Sequence, residues 1–172
     1  RVPGRNTDIV CDLSSKNLKA QLATRVAESL CIVNCAAAKD DFGLAPLTYR
    51  KDNVCAHIAF VDVLESFQVV QFIHISSVAA IDGAVLSFQE SLGCDDAYRQ
   101  TKFDQESLVV DWCKRNGVDW TVLLPSAIYS LTKTSNNIDV LFSVAKTLPI
   151  VPKIDSKKSS TYLNNLIFFI SQ

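Results

Sequence analysis

Tyr98-Arg99-Gln100-Thr101-Lys102 carries a phenol and an ammonium four positions apart, the spacing that puts two side chains on one face of a helix. Such a pair can move a proton. A phenol titrates near pH 10, so a phenolate base working near pH 7 needs a shift of about 3 units, or about 4 kcal/mol. One ammonium about 4 Å away, at an effective dielectric near 20, supplies about that much. The spacing by itself is a weak signal, because four Tyr and 11 Lys among 172 residues meet this way by chance often enough.

Other polar groups stand where apolar runs end: Asp12-Leu13, Asn34-Cys35-Ala36-Ala37-Ala38-Lys39, Ser76-Ser77 and Pro125-Ser126-Ala127. The alanines would let a flat ligand approach the backbone closely. Taken singly, small and hydroxyl residues in such places are turns and caps. His74, inside an apolar run, reads as a hydrogen-bonded core histidine, and Cys113 as core. Asp40-Asp41 and Lys157-Lys158 read as solvated charge.

The elements that must position these groups follow from two alternating periods. Asp8–Cys11 is a short strand candidate. Ser14 and Ser15 can cap a helix with Leu18, Leu22 and Val26 on one face. Leu30 to Asn34 reads as a strand buried on both faces. A helix follows Asn53, with Val54, Ile58, Val61 and Leu64 as its stripe, and Val69 to Ile75 is again a strand. A third helix spans about Ala97 to Asn116, with Leu108, Val109, Trp112 and Cys113 as its apolar stripe and Asn116-Gly117 as its stop signal. Trp120 to Leu124 is another buried strand, ended by Pro125. Apolar strands alternating with helices predict a doubly wound α/β fold, a parallel Rossmann-like sheet covered on both faces. Beyond Pro125, Leu141–Leu148 is a helix candidate and Asn164–Ile170 a short apolar stretch. In such sheets ligands bind outside the carboxyl ends of the strands, where Tyr98 and Lys102 point.

Composition excludes several classes. The chain is 48% hydrophobic with a net charge of −1, which argues against disorder and against the basic stripe of a nucleic-acid binder. No apolar run reaches the roughly 18 residues that span a bilayer, and no secretory signal is legible. Six cysteines without CxxC spacing and only two histidines announce no metal site and no disulfide framework. Cys31 and Cys35 read as buried thiols, and the cysteine usage as that of a reducing cytoplasm. A chain that opens at Arg1 and holds no Met reads as a piece of a longer one.

The order of the whole set is more specific than any of its parts. An Asp-Leu strand end, an Ala-Ala-x-Lys strand end, a helix opening at Asn53-Val54 and a Ser-Ser strand end precede Tyr98-xxx-Lys102, and Leu124-Pro125-Ser126-Ala127 follows it. From about Asp8 to Tyr129 this resembles the extended short-chain dehydrogenase/reductase family, in particular its NAD-dependent nucleotide-sugar epimerase and dehydratase branch. The resemblance implies a partial NAD(P)-binding domain over 1–130 and the start of a truncated substrate-binding lobe over 131–172. It implies a catalytic Ser77, Tyr98 and Lys102, with Ser77 chosen over Ser76 because it is the last serine before an apolar residue. NAD, or alternatively NADP, would be lined by Asp12, Leu13, Cys35, Ala36, Ala37, Lys39, Asn53, Tyr98, Lys102, Pro125 and Ser126. The substrate would be a nucleotide sugar, with no metal, nucleic acid or membrane involved, and the protein would form a homodimer. Reductases of steroid- or flavonoid-type carbonyls share these residues, and a non-catalytic structural or nucleotide-sensing relative is the alternative of another class. Two features depart from the family. The glycines are confined to positions 4, 43, 83, 93 and 117, so the first βαβ unit with its pyrophosphate loop is missing, as is most of the C-terminal lobe. Leu124 stands where the family has Arg, and Ser130 where it has Gly.

Overall fold

The computed structural model of the chain describes residues 12–23, 29–39, 43–86, 93–130, 146–147 and 159–172. The expected strand Asp8–Cys11, Val26 of the first helix and most of the Leu141–Leu148 candidate lie outside these residues. Contacts divide the chain into two units, Arg1–Leu124 and Pro125–Gln172.

The first unit is built on a parallel sheet in the order β1-β2-β3, with β1 at Leu30–Asn34, β2 at Val69–Ile75 and β3 at Asp119–Leu123. Parallel neighbours need long crossovers, and helices supply them here. Helix α1 (Leu18–Ala23) precedes β1. Between β1 and β2 run α2 (Pro46–Tyr49), a π-helical turn (Arg50–Cys55) and α3 (Ala56–Leu64), joined through helical residues at each junction. Between β2 and β3 run α4 (Ala79–Gly83) and the 23-residue α5 (Cys94–Asn116). This is the parallel, Rossmann-like arrangement that the periods predict.

Helix α5 owes its length to consistent end chemistry. Asp95 and Asp96 sit in its first turn and Lys114 and Arg115 in its last, each sign favourable against the macrodipole. Gly117 then takes a left-handed conformation with φ 65°, which a Cβ would oppose. The lower half of α5 packs on the sheet and α3. Val109, Trp112 and Cys113 join Val61, Leu64, Val69, Phe72 and Val118 in the core, with the Phe72 and Trp112 rings 6.2 Å apart, edge to face. Burying each large side chain there stabilises by about 1.5–3 kcal/mol.

Four expectations are corrected. The helix expected to open at Asn53 begins at Pro46, so Asn53 lies inside a helical run. Proline fits the first helical turn because its missing N–H would have no partner there. Strand β1 is half-buried rather than covered on both faces. Ile32 packs against the core, whereas Cys31 and Val33 point to the opposite face and are exposed. Strand β3 is likewise open, with Trp120 43% exposed beneath the Lys114 ammonium at 5.9 Å. Cys31 and Cys35 are therefore not buried thiols. Both are exposed, and with Cys55 and buried Cys113 they are free thiols among the described residues.

The second unit pairs β4 (Ala127–Tyr129) in parallel with β5 (Ser160–Tyr162), followed by α6 (Leu163–Ile170). Tyr129 and Tyr162 stack 5.4 Å apart. The apolar stretch Asn164–Ile170 is thus a helix, with Leu166 as its buried contact.

Candidate active site

The carboxyl ends of β1 and β2 meet the first half of α5, and most of the polar residues singled out above collect there. Ala97, Thr101, Gln105 and Val109 recur every four residues along α5 and are all buried, with Lys102 beside them. The stripe that is apolar further down is polar here because it faces strand ends rather than side chains of the core.

The Ser77 hydroxyl lies near enough to the Tyr98 phenol to favour its ionised form and accepts from Ala79 N at 3.2 Å. The Tyr98 ring leans on Tyr49 of α2, centroids 5.8 Å apart. Lys102 crosses beneath, its ammonium donating to Gln105 Oε1 at 2.6 Å and to the Ile75 carbonyl at 3.4 Å. Neighbouring Ser76 donates to Glu106 Oε2 at 2.7 Å, so the two serines divide their duties: Ser76 ties β2 to α5 and Ser77 faces Tyr98.

Asn53 joins the strand-end loop to α5. The π-helical turn buries its side chain fully. Its Oδ1 accepts from Ala38 N at 2.6 Å, and its Nδ2 reaches the Ala38 carbonyl at 3.3 Å and Thr101 Oγ1 at 3.2 Å. Thr101 in turn donates to the Tyr98 carbonyl. A turn of π-helix inside a helix is an uncommon feature that recurs at functional sites. Below this loop, Asn34 accepts from Ala36 N at 3.1 Å and reaches His74 Nδ1 at 3.1 Å. His74 is indeed a core histidine, but its Nε2 is buried with no partner.

Electrostatics set the resting state of the cluster. Burial pushes the Tyr98 phenol above its ordinary value; the Ser77 hydroxyl lowers it and nearby Tyr49 raises it. The Lys102 ammonium is bonded to Gln105 and the Ile75 carbonyl. Burial pulls Lys102 itself down to about 8, with Glu106 and Cys35 acting in the opposite direction. Burial also raises the Cys35 thiol, which the Lys102 charge partly offsets. His57 and His74 fall to about 4 and about 3, through burial first and Lys102 second.

The remaining expected residues are distributed as follows. Cys35, Ala36, Ala37 and Lys39 lie on the exposed strand-end loop. Asp12 is exposed, its Oδ1 accepting from Ser14 N and Oγ at 2.8 and 2.6 Å, which holds its carboxyl low; Leu13 beside it is half-buried. Pro125 and Ser126 belong to the second unit, where the Ser126 amide and hydroxyl meet Thr161 Oγ1 at 3.2 and 3.1 Å. Residues that sequence reasoning missed are Gln105, His57 and Thr101. The legible signal was polarity on a buried stripe, three and seven residues beyond Tyr98.

The arrangement fits the nicotinamide-ribose end of a dinucleotide. Ala36 and Ala37 expose small side chains and backbone, and the Lys102 ammonium uses two of its three donors. A glycine-rich cradle for the pyrophosphate is not part of this sequence. Among the described residues no cluster suits a metal ion, and no helix is long and apolar enough to cross a membrane.

Comparison with known proteins places this chain in a family. The model of the NAD dependent epimerase/dehydratase family matches residues 3–150, and the chain belongs to that family. Among solved structures, the UDP-N-acetylglucosamine 4-epimerase of Methanobrevibacter ruminantium in complex with UDP-N-acetylmuramic acid is 17% identical, with a TM-score of 0.67 over 92% of this chain and 54% of that one. The Thermus thermophilus UDP-glucose 4-epimerase complex with NAD is 15% identical, with a TM-score of 0.69 over 94% of this chain and 58% of that one. The UDP-glucuronic acid 4-epimerase of Bacillus cereus, in complex with UDP-glucuronic acid and NAD, gives 17%, 0.62, 91% and 51%. At these identities the likeness is one of fold. The chain spans little more than half the length of these neighbours. No curated protein matches significantly.

Proposed function

We propose that the protein is an NAD-dependent oxidoreductase or epimerase acting on a nucleotide sugar through Ser77, Tyr98 and Lys102. The observation that carries this reading is the buried Lys102 bonded to the carboxyl end of β2, with Ser77 and Tyr98 close to each other at the same strand end of a family member. The structural neighbours are epimerases of UDP-sugars, which supports the substrate class.

Tyr98, as phenolate, takes the proton of a substrate hydroxyl, and Ser77 holds the reacting oxygen by hydrogen bonding. NAD, when bound, supplies the hydride acceptor. Lys102 has one ammonium donor free for the nicotinamide ribose, beside the Ala36-Ala37 backbone. Because burial holds the phenol high, the base form requires that the Lys102 charge act on it. The pair about 4 Å apart would gain roughly the 4 kcal/mol needed. A second reading, a non-catalytic nucleotide sensor, draws on the bonding of the Lys102 ammonium to Gln105 and the Ile75 carbonyl.

Calorimetric titration of the full-length protein with NAD and with NADP tests the cofactor assignment. One of them binds, and Lys102→Ala weakens that binding by about 1–3 kcal/mol, as for a lost charge-assisted hydrogen bond. An absence of heat with either nucleotide at millimolar concentration would contradict the assignment.

A further inference from the structure

We infer that Gln105 is a positioning residue of this site, its side-chain amide coupling the Lys102 ammonium to the strand-end loop. The inference rests on the function proposed above for Lys102. Gln105 is fully buried, and all of its polar capacity is committed in three directions. Oε1 accepts from Lys102 at 2.6 Å. One N–H goes to the Ala36 carbonyl at 2.8 Å. The other reaches the His57 ring, whose Nε2 lies 2.7 Å away.

The Lys102 ammonium and the Ala36 carbonyl decide which way the amide points. The His57 Nε2 lies 2.7 Å from the Gln105 amide nitrogen and 3.3 Å from Asn34 Oδ1. A reversed amide would aim N–H groups at the Lys102 ammonium and an oxygen at the Ala36 carbonyl, which leaves two buried pairs mismatched. His57 stays neutral because it is buried and shares the region with Lys102. Gln105 therefore holds the Lys102 ammonium by a neutral acceptor that it can leave. The same side chain reports the position of Ala36 to Lys102, so a ligand settling on the loop moves both.

The charged and titratable groups that face Lys102 are Glu106 on its own helix, Cys35 on the strand-end loop, His57 on α3 and His74 on β2. Of these, His57 also touches Gln105, so its titration is followed alongside that of Lys102, and two variants separate the roles of Gln105. Gln105→Glu keeps an acceptor for Lys102, adds a charge and cannot donate to Ala36 or His57. Gln105→Leu removes both functions.

NMR titration of the Lys102 side chain in the unliganded protein gives the deciding readout. Lys102 in Gln105→Glu titrates about one pH unit or more above the wild type, and in Gln105→Leu below it. A residue that merely fills space would give no such opposed shifts. NAD affinity, measured by calorimetry, falls about tenfold in both variants through loss of the bond to Ala36. Lys102 titrations that coincide with the wild type, or that move the same way in both, would overturn the inference, as would unchanged NAD affinity in both variants. If the wild type binds no NAD, the functional reading fails, and the Lys102 titration still decides the role of Gln105.

Discussion

Lys102, His57 and His74 are three basic side chains buried within one polar cluster, and their titration ties the stability of the protein to pH. The two imidazoles have folded values of about 4 and about 3, against an unfolded value near 6.5. The unfolded chain therefore binds protons first as pH falls, so stability is full above about 6.5 and is lost on acidification toward those folded values. Each ring accounts for about 2 kcal/mol by pH 5. Lys102 is lowered too, to about 8, so its burial penalty is full below pH 8 and is relieved as pH rises from 8 toward 10.5. Urea unfolding at pH 7.5, 6 and 5 should show the acid loss, and His74→Phe should remove about half of it. Stability independent of pH across that range would mean that the imidazoles are hydrated or paired in a way this cluster excludes. At this scale the sequence made Tyr98, Lys102 and Ser77 legible through helical spacing and position at strand ends. Gln105 and His57 were hidden because each is ordinary alone, and only the fold brings them to the same ammonium.

Two local features of the elements set the site geometry. One is the π-helical turn Arg50–Cys55, which places Asn53 inside a helix and under the Ala38 loop. Asn53 was singled out only through the family resemblance, and the helical run from Pro46 was not legible, because a π insertion shifts the 3.6-residue period that reveals a helix. The other is the close approach of α4 to α5. A Cβ built on Gly83 would stand 2.2 Å from the Arg99 carbonyl oxygen, and backbone cannot step aside as a side chain can. Gly83→Ala should thus push α4 away from α5, destabilise by about 1–3 kcal/mol and draw Ser77 away from Tyr98. Gly93, the residue before α5, has open space around its Cβ position, and Gly93→Ala should change stability by less than about 0.5 kcal/mol. Thermal unfolding of the two variants checks the contrast, and equal melting points would contradict it. The open faces of β1 and β3 were not legible either: an apolar run predicts a strand, but what covers each face depends on elements elsewhere in the chain.

At the scale of the whole molecule, the parallel sheet, the long α5 and the clustering of Ser77, Tyr98 and Lys102 follow from the alternation of periods and from where the polar residues fall. The phenol's resting state does not, since it depends first on how far the fold buries the ring. The central claim is that Tyr98 transfers the proton and that Lys102 acts through it. The direct test is turnover of UDP-glucose with NAD by the full-length protein carrying Tyr98→Phe, Lys102→Ala or both. Tyr98→Phe should leave folding and NAD affinity nearly unchanged while turnover falls by about 10² or more, as for a lost general base. The double variant should lose little beyond the worse single variant, because coupled residues are not additive. Full activity in Tyr98→Phe, or a double variant that loses the full product of the two single losses, would contradict the account.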